Sequence, residues 1–244
     1  MNSDALPETR FHLLGPVEVR HGDDAVPVPA ARQRAILAAL LLRAGRVVAV
    51  DTLTDLLWGD RPPPTATVTA RNYVSRLRKA VPQVSTVSGG YRLDLPPGAL
   101  DLDRFERLTA SARTAAPAAA VPLLDRALAL WRGPALADLG TLPIHHVEAP
   151  RLEEMRLAAT GDRLDALLRV GEGVRLVPEL VRLVARHPLR ERFVGQLMQA
   201  LDASGRLPEA LDLYRRTRDR LVTDLAIEPG PVLRRLHQRL LETI

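Results

Sequence analysis

Three consecutive prolines, Pro62, Pro63 and Pro64, interrupt the first hundred residues of this chain. Proline lacks an N–H donor, fixes φ and keeps the preceding residue out of the helical region, so no helix crosses this point. A new helix can start at Thr65, whose hydroxyl is placed to cap an orphan N–H. At helical spacing from there, Ala70, Val74, Leu77 and Val81 share one face, the pattern of a buried stripe. The opposite face carries Val68, Asn72, Ser75, Arg76 and Lys79, with Arg71 and Arg78 on its flanks. Pro82 closes the helix. A β-hairpin follows, with Val84 to Val87 as one strand, Gly89-Gly90 as the turn, and Tyr91, Leu93 and Leu95 alternating with polar neighbours.

That outer face mixes cations with short hydrogen-bonding groups, as a DNA-reading helix requires. Arginine and lysine neutralise phosphates or take guanine edges, asparagine pairs with adenine, and an exposed valine can touch a thymine methyl. On the helix alone, a solvated basic face explains the pattern equally well. Charge distribution decides between them. Residues 32–92 hold 10 Lys/Arg against 3 Asp/Glu, residues 1–31 hold 2 against 5, and residues 93–244 hold 22 against 21. The excess is concentrated around the helix and hairpin, as an electrostatic footprint for a polyanion should be. A basic membrane-surface patch would need large exposed apolar groups on an amphipathic helix, and none is evident.

Composition excludes other classes. With no cysteine there is no disulfide, thiolate zinc site or thiol redox sensor. No apolar run approaches the ~18 residues of a membrane span. The opening MNSDALPETR has acids and no apolar core, so no secretory signal is expected and a cytoplasmic, membrane-free protein is the default. Of 34 cations only Lys79 is lysine, which together with abundant alanine and proline suggests a GC-rich genome.

Before the prolines, residues 10–29 read as short antiparallel strands with turn signals at Gly15-Pro16 and Gly22-Asp23-Asp24. A helix is expected over 32–44, with Ile36, Leu37, Leu40 and Leu41 buried and Gly45 past its end. A short link over 46–50 leads to a second helix, capped by Asp51 and ended by Trp58-Gly59. Small sheet, three helices and hairpin make a winged helix-turn-helix, whose third helix enters the major groove while the wing lies along the backbone or minor groove. RQRAILAALLLRAG at 32–45, VVAVDTLTDLLWG at 47–59, NYVSRLRKAV at 72–81 and GGYRL at 89–93 resemble the OmpR-type output domain. Wings of that family often carry a cation before the glycine turn. Here Ser88 stands in that place, and Arg92 is the candidate for a phosphate.

Beyond Leu95 the β signals stop at Pro96-Pro97-Gly98. Helices are expected over 101–113, from Pro122 to Trp131-Arg132-Gly133, and over 151–168, 174–186, 189–204, 207–224 and 231–243, with 134–150 an ordered loop. Pro178-Glu179-Leu180 and Pro208-Glu209-Ala210 open comparable helices 30 residues apart. Gly205-Arg206-Leu207, Ala210 and Tyr214 resemble the small-residue pattern of a tetratricopeptide repeat, whose period is ~34 residues. The expected fold is therefore mainly α with small β. A winged-helix DNA-binding domain over 1–96 precedes an all-α, tetratricopeptide-like domain over 97–244.

At this scale one family resemblance covers nearly the whole chain. RFERL at 104–108, LWRGPAL at 130–136, RLEEMRLAA at 151–159, ELVRLVARHPLRERF at 179–193, SGRLPEALDLYRR at 204–216 and LAIEPGPVLRRLHQRLL at 225–241 look like the bacterial transcriptional activator domain. That domain follows an OmpR-type winged helix in the SARP family of actinobacterial antibiotic-pathway regulators. The resemblance implies an activator that binds promoter direct repeats as two protomers and recruits RNA polymerase with its sigma factor. It carries polymerase contact to the loop at Asp60, Arg61 and Pro62. The chain resembles the small, stand-alone members.

No catalytic constellation can be assembled: GxSxG, the Walker lysine and HExxH are missing. His145-His146-x-Glu148 lacks a further histidine at zinc-helix spacing and reads as a polar loop. Gly171-Glu172-Gly173 reads as a helix break. Neither enzyme activity, metal nor cofactor is expected. The rival from another class is a helical-repeat adaptor binding peptide partners. It has no need of the basic footprint, and salt dependence of DNA affinity separates the two.

Overall fold

β1 (Thr9–His12), β2 (Glu18–His21) and β3 (Asp24–Val26) form an antiparallel sheet in that order. Phe11 faces Val19 across it, and both are buried. These and the following features come from a computed structural model, which describes residues 8–242. Next come α1 (Ala31–Leu41), β4 (Val48–Ala49), α2 (Val50–Trp58) and α3 (Ala66–Ala80), then the hairpin of β5 (Val84–Val87) and β6 (Gly90–Leu93). The three helices pack pairwise. Ile36, Leu37, Leu40, Leu53, Leu57, Ala70, Val74 and Leu77 form their shared core. Each large aliphatic side chain buried there contributes roughly 1.5–3 kcal/mol.

Local details differ from the sequence expectation. The first helix stops at Leu41 rather than 44. Val48 and Ala49, expected in a plain link, form β4 and pair with Tyr91 and Gly90, giving a sheet of order β4-β6-β5. Thr65 occupies the cap position of α3 but makes no side-chain capping bond. Asp51 is not a cap either. Ala49 holds that place, and Asp51 sits in the first turn, where the helix dipole favours an anion. The hairpin loop is Ser88-Gly89, because Gly90 is already in the strand opposite Val87. Gly89 supplies the positive φ of +88°.

The remaining elements are α4 (Asp101–Thr114), α5 (Pro117–Leu128), a 3-10 turn (Ala137–Leu139), α6 (Pro143–Arg169), α7 (Gly173–Arg186), α8 (Glu191–Ala203), α9 (Leu207–Leu225) and α10 (Pro231–Leu241). Two of them begin earlier than expected. α5 starts at Pro117 with Pro122 inside it, and α6 starts at Pro143 with Pro150 inside it. An interior proline costs about 3 kcal/mol. In α6 the added turns bury Ile144 and Ala149 ahead of Leu152, and burial of this order offsets that cost. Residues 143–150 are thus helix, not loop.

The chain divides into two compact units, residues 1–110 with 126–157, and residues 111–125 with 158–244. In the first unit, Asp101, Arg132 and Asp138 bond directly to the 13–18 segment. The backbone also joins there: Arg132 N–H donates to the Leu14 carbonyl at 2.8 Å, and Leu136 N–H to that of Gly15 at 2.9 Å. In the second unit, α7 packs on α8, α8 on α9, and α10 on both α8 and α9, the neighbour-to-neighbour pattern of a helical repeat array.

Candidate nucleic-acid interface

α3 is amphipathic. Ala66, Ala70, Val74 and Leu77 are buried against the core. The other side exposes Val68, Arg71, Asn72, Ser75, Arg76 and Lys79. Val68 is 59 % exposed, so this valine has no part in the core. Among the described residues, no carboxylate pairs with Arg71, Arg76 or Lys79. Their charge is therefore available to a polyanion, and the short side chains between them leave room for base edges.

Two further candidates are engaged within the protein. Arg78 is half-buried and turned toward the hairpin, with its Nε donating to the Val84 carbonyl at 2.9 Å. Arg92 Nε donates to the Asp94 carboxylate at 2.9 Å. Ser88 is exposed at the hairpin tip beside Gly89. Asp60, Arg61 and Pro62 are exposed on the connection from α2 to α3.

Helical periodicity found the outward face of α3. It did not find that Arg78 is held by the hairpin, since the twist of a two-stranded ribbon sets which strand residues it meets. β4 was also missed, because two residues are too short for an alternation signal. The His145-His146 pair lies on α6, where Glu148 is taken up by Arg151 at 3.1 Å and Arg43 at 3.8 Å. Among the described residues no group of His, Cys, Asp and Glu could hold a metal ion, and no helix is long and apolar enough to cross a membrane.

Residues 28–93 match the family model for the C-terminal domain of transcriptional regulatory proteins, and residues 100–241 match the bacterial transcriptional activator domain. Winged helix and helical array together thus define the class: a chain that joins an OmpR-type segment to a bacterial transcriptional activator domain. The chain is 44 % identical over 98 % of its length to regulatory protein AfsR of Streptomyces griseus, of which it covers 25 %. It is 35 % identical to regulatory protein DnrI of Streptomyces peucetius, covering 95 % of this chain and 92 % of that one. Among solved structures it is similar to Mycobacterium tuberculosis EmbR in complex with a low-affinity phosphopeptide. The TM-score there is 0.91 and the identity 35 %, over 97 % of this chain and 65 % of that one. The chain belongs to the SARP family of regulators. It spans only about a quarter of the AfsR relatives.

Proposed function

We propose that this chain is a sequence-specific DNA-binding transcriptional activator, acting on genes for a secondary metabolite such as an antibiotic. It binds direct repeats at promoters as a pair of protomers and recruits RNA polymerase, sigma factor included. The observation that carries this reading is the outward face of α3. Three cations that pair with no carboxylate among the described residues flank Val68, Asn72 and Ser75, all exposed. Arg71, Arg76 and Lys79 supply phosphate or guanine contacts, Asn72 and Ser75 read edges, and Val68 meets a methyl group. Ser88 at the wing tip approaches the backbone, and Arg92 can follow if it leaves Asp94.

In this reading the 1–96 segment binds DNA, the 97–244 segment acts on the transcription machinery, and Asp60, Arg61 and Pro62 offer polymerase a stiff loop. The protein works in the cytoplasm, with no enzymatic step or cofactor. Selection from random DNA, followed by titration of the selected duplex at several salt concentrations, tests the reading. Nanomolar-range binding that falls steeply with salt is expected. Enrichment of no sequence, with salt-independent capture of peptides instead, would favour the adaptor alternative.

A further inference from the structure

Arg78 stands apart from the other cations of α3. Its guanidinium reaches the wing at three places: Nε donates to the Val84 carbonyl, Nη2 donates to Thr86 Oγ1, and the group lies 5.6 Å from the centroid of the Tyr91 ring. Thr86 and Tyr91 are register partners across the hairpin, so one side chain engages both wing strands. On β6 the wing is held by β4, where a Cβ added at Gly90 would lie 2.1 Å from the Val48 carbonyl oxygen. The hairpin is thus secured by β4 at one edge and by Arg78 from the helix.

We propose that Arg78 is a positioning residue for DNA recognition. It sets the wing against α3 so that helix and wing meet the duplex together. The proposal rests on the DNA-binding reading above and moves Arg78 out of the set that touches DNA. The planar guanidinium suits this task, because it donates from two edges while its face lies over an aromatic ring. Lysine keeps the charge but has neither the fork nor the stacking plane. A wing released from the helix would have to be ordered during binding, at a cost to affinity.

The test uses the full chain, the selected duplex, and the variants Arg78→Lys, Arg78→Ala, Thr86→Val, Arg76→Ala and Lys79→Ala. Arg78→Lys should bind roughly tenfold more weakly, the effect of lost charge-assisted hydrogen bonds. Its salt slope should match the parent's, whereas Lys79→Ala should flatten the slope by about one unit. Thr86→Val, at an exposed position, should move affinity the same way by a smaller factor. In the DNA-free protein, amide exchange over 84–93 should accelerate in Arg78→Lys and in Thr86→Val. Unchanged exchange there would overturn the proposal. So would full affinity in Arg78→Lys with a one-unit loss of slope in Arg78→Ala, the signature of a phosphate contact. If Arg76→Ala and Lys79→Ala also bind like the parent, the groove reading itself fails and the DNA part of this proposal fails with it.

Discussion

The carboxylate of Asp101, at the first residue of α4, accepts the backbone N–H of Leu13 at 2.9 Å and that of Leu14 at 3.0 Å. Asp101 is only 2 % exposed, and Leu13 and Leu14 are fully buried. Removing the carboxylate leaves two buried donors unsatisfied, each worth about 1–3 kcal/mol. Asp101→Ala should therefore destabilise the first unit by about 2–6 kcal/mol, read as a lower denaturation midpoint with unchanged slope. A fragment ending at residue 96 lacks Asp101, Arg132 and Asp138, and its midpoint should fall further still. Equal midpoints for fragment and whole chain would show that these bonds contribute nothing net.

The outward face of α3 gives the second prediction. Arg76→Ala should cost roughly 1–3 kcal/mol of affinity for the selected duplex and relax specificity at one base position. Lys79→Ala should weaken binding about equally across sequences. Wild-type affinity in both variants would remove α3 from the groove.

Head-to-tail docking on direct repeats requires both protomers on one face of the duplex. Repeats should be spaced near one helical turn, ~10–10.5 bp, or a multiple of it. Inserting roughly five base pairs should abolish paired occupancy in a footprint while leaving single-site binding intact. Paired occupancy that survives the insertion counts against this arrangement.

The loop from Gly59 to Thr65 should separate binding from activation. Pro62, Pro63 and Pro64 stiffen it, which lowers the entropy lost on engaging a partner. With Asp60 and Arg61 both changed to Ala, DNA affinity should stay within about twofold, a few tenths of a kcal/mol. Transcription from the cognate promoter in a purified system should fall. Full transcription at normal occupancy would leave the helical array as the polymerase contact.

A pH dependence belongs to the second unit. Burial, assisted by Arg215, holds His237 below its ordinary pKa of 6.5. Its ring stacks on Tyr214 at 3.8 Å. The unfolded chain binds the proton more readily, so this contribution to stability is present above the unfolded pKa. It is lost as pH falls from there toward the folded value. His237→Phe keeps a ring on Tyr214 and removes the proton site. Between about pH 8 and about pH 5 the parent should lose more stability than the variant. Equal losses would assign the acid sensitivity to other groups.

Much of this was legible in sequence because its signals are local. The proline triplet separates α2 from α3, the spacing of Ala70, Val74 and Leu77 fixes the buried side of α3, and Gly89 marks the wing turn. What escaped depends on distant partners. Pro122 and Pro150 read as boundaries, yet burial of neighbouring apolar side chains outweighs the bonds they forfeit. Asp101 reads as an ordinary acid in a first turn, although its partners, Leu13 and Leu14, lie almost ninety residues away. Arg78 has the spacing of a flank cation, and only the course of the hairpin shows that its donors are engaged there.

The close approach at Gly90 has a consequence for how such a protein changes over generations. There the wing meets β4 through main-chain atoms, and no side chain can be admitted at that point without displacing one strand. Arg71, Asn72, Ser75 and Ser88, by contrast, project into solvent, away from that contact. Exchanges at such positions typically alter stability by no more than about 0.5 kcal/mol. If α3 reads DNA as proposed, duplicated copies of the gene can therefore change the sequence they recognise one solvent-facing residue at a time, without passing through an unfolded intermediate sequence.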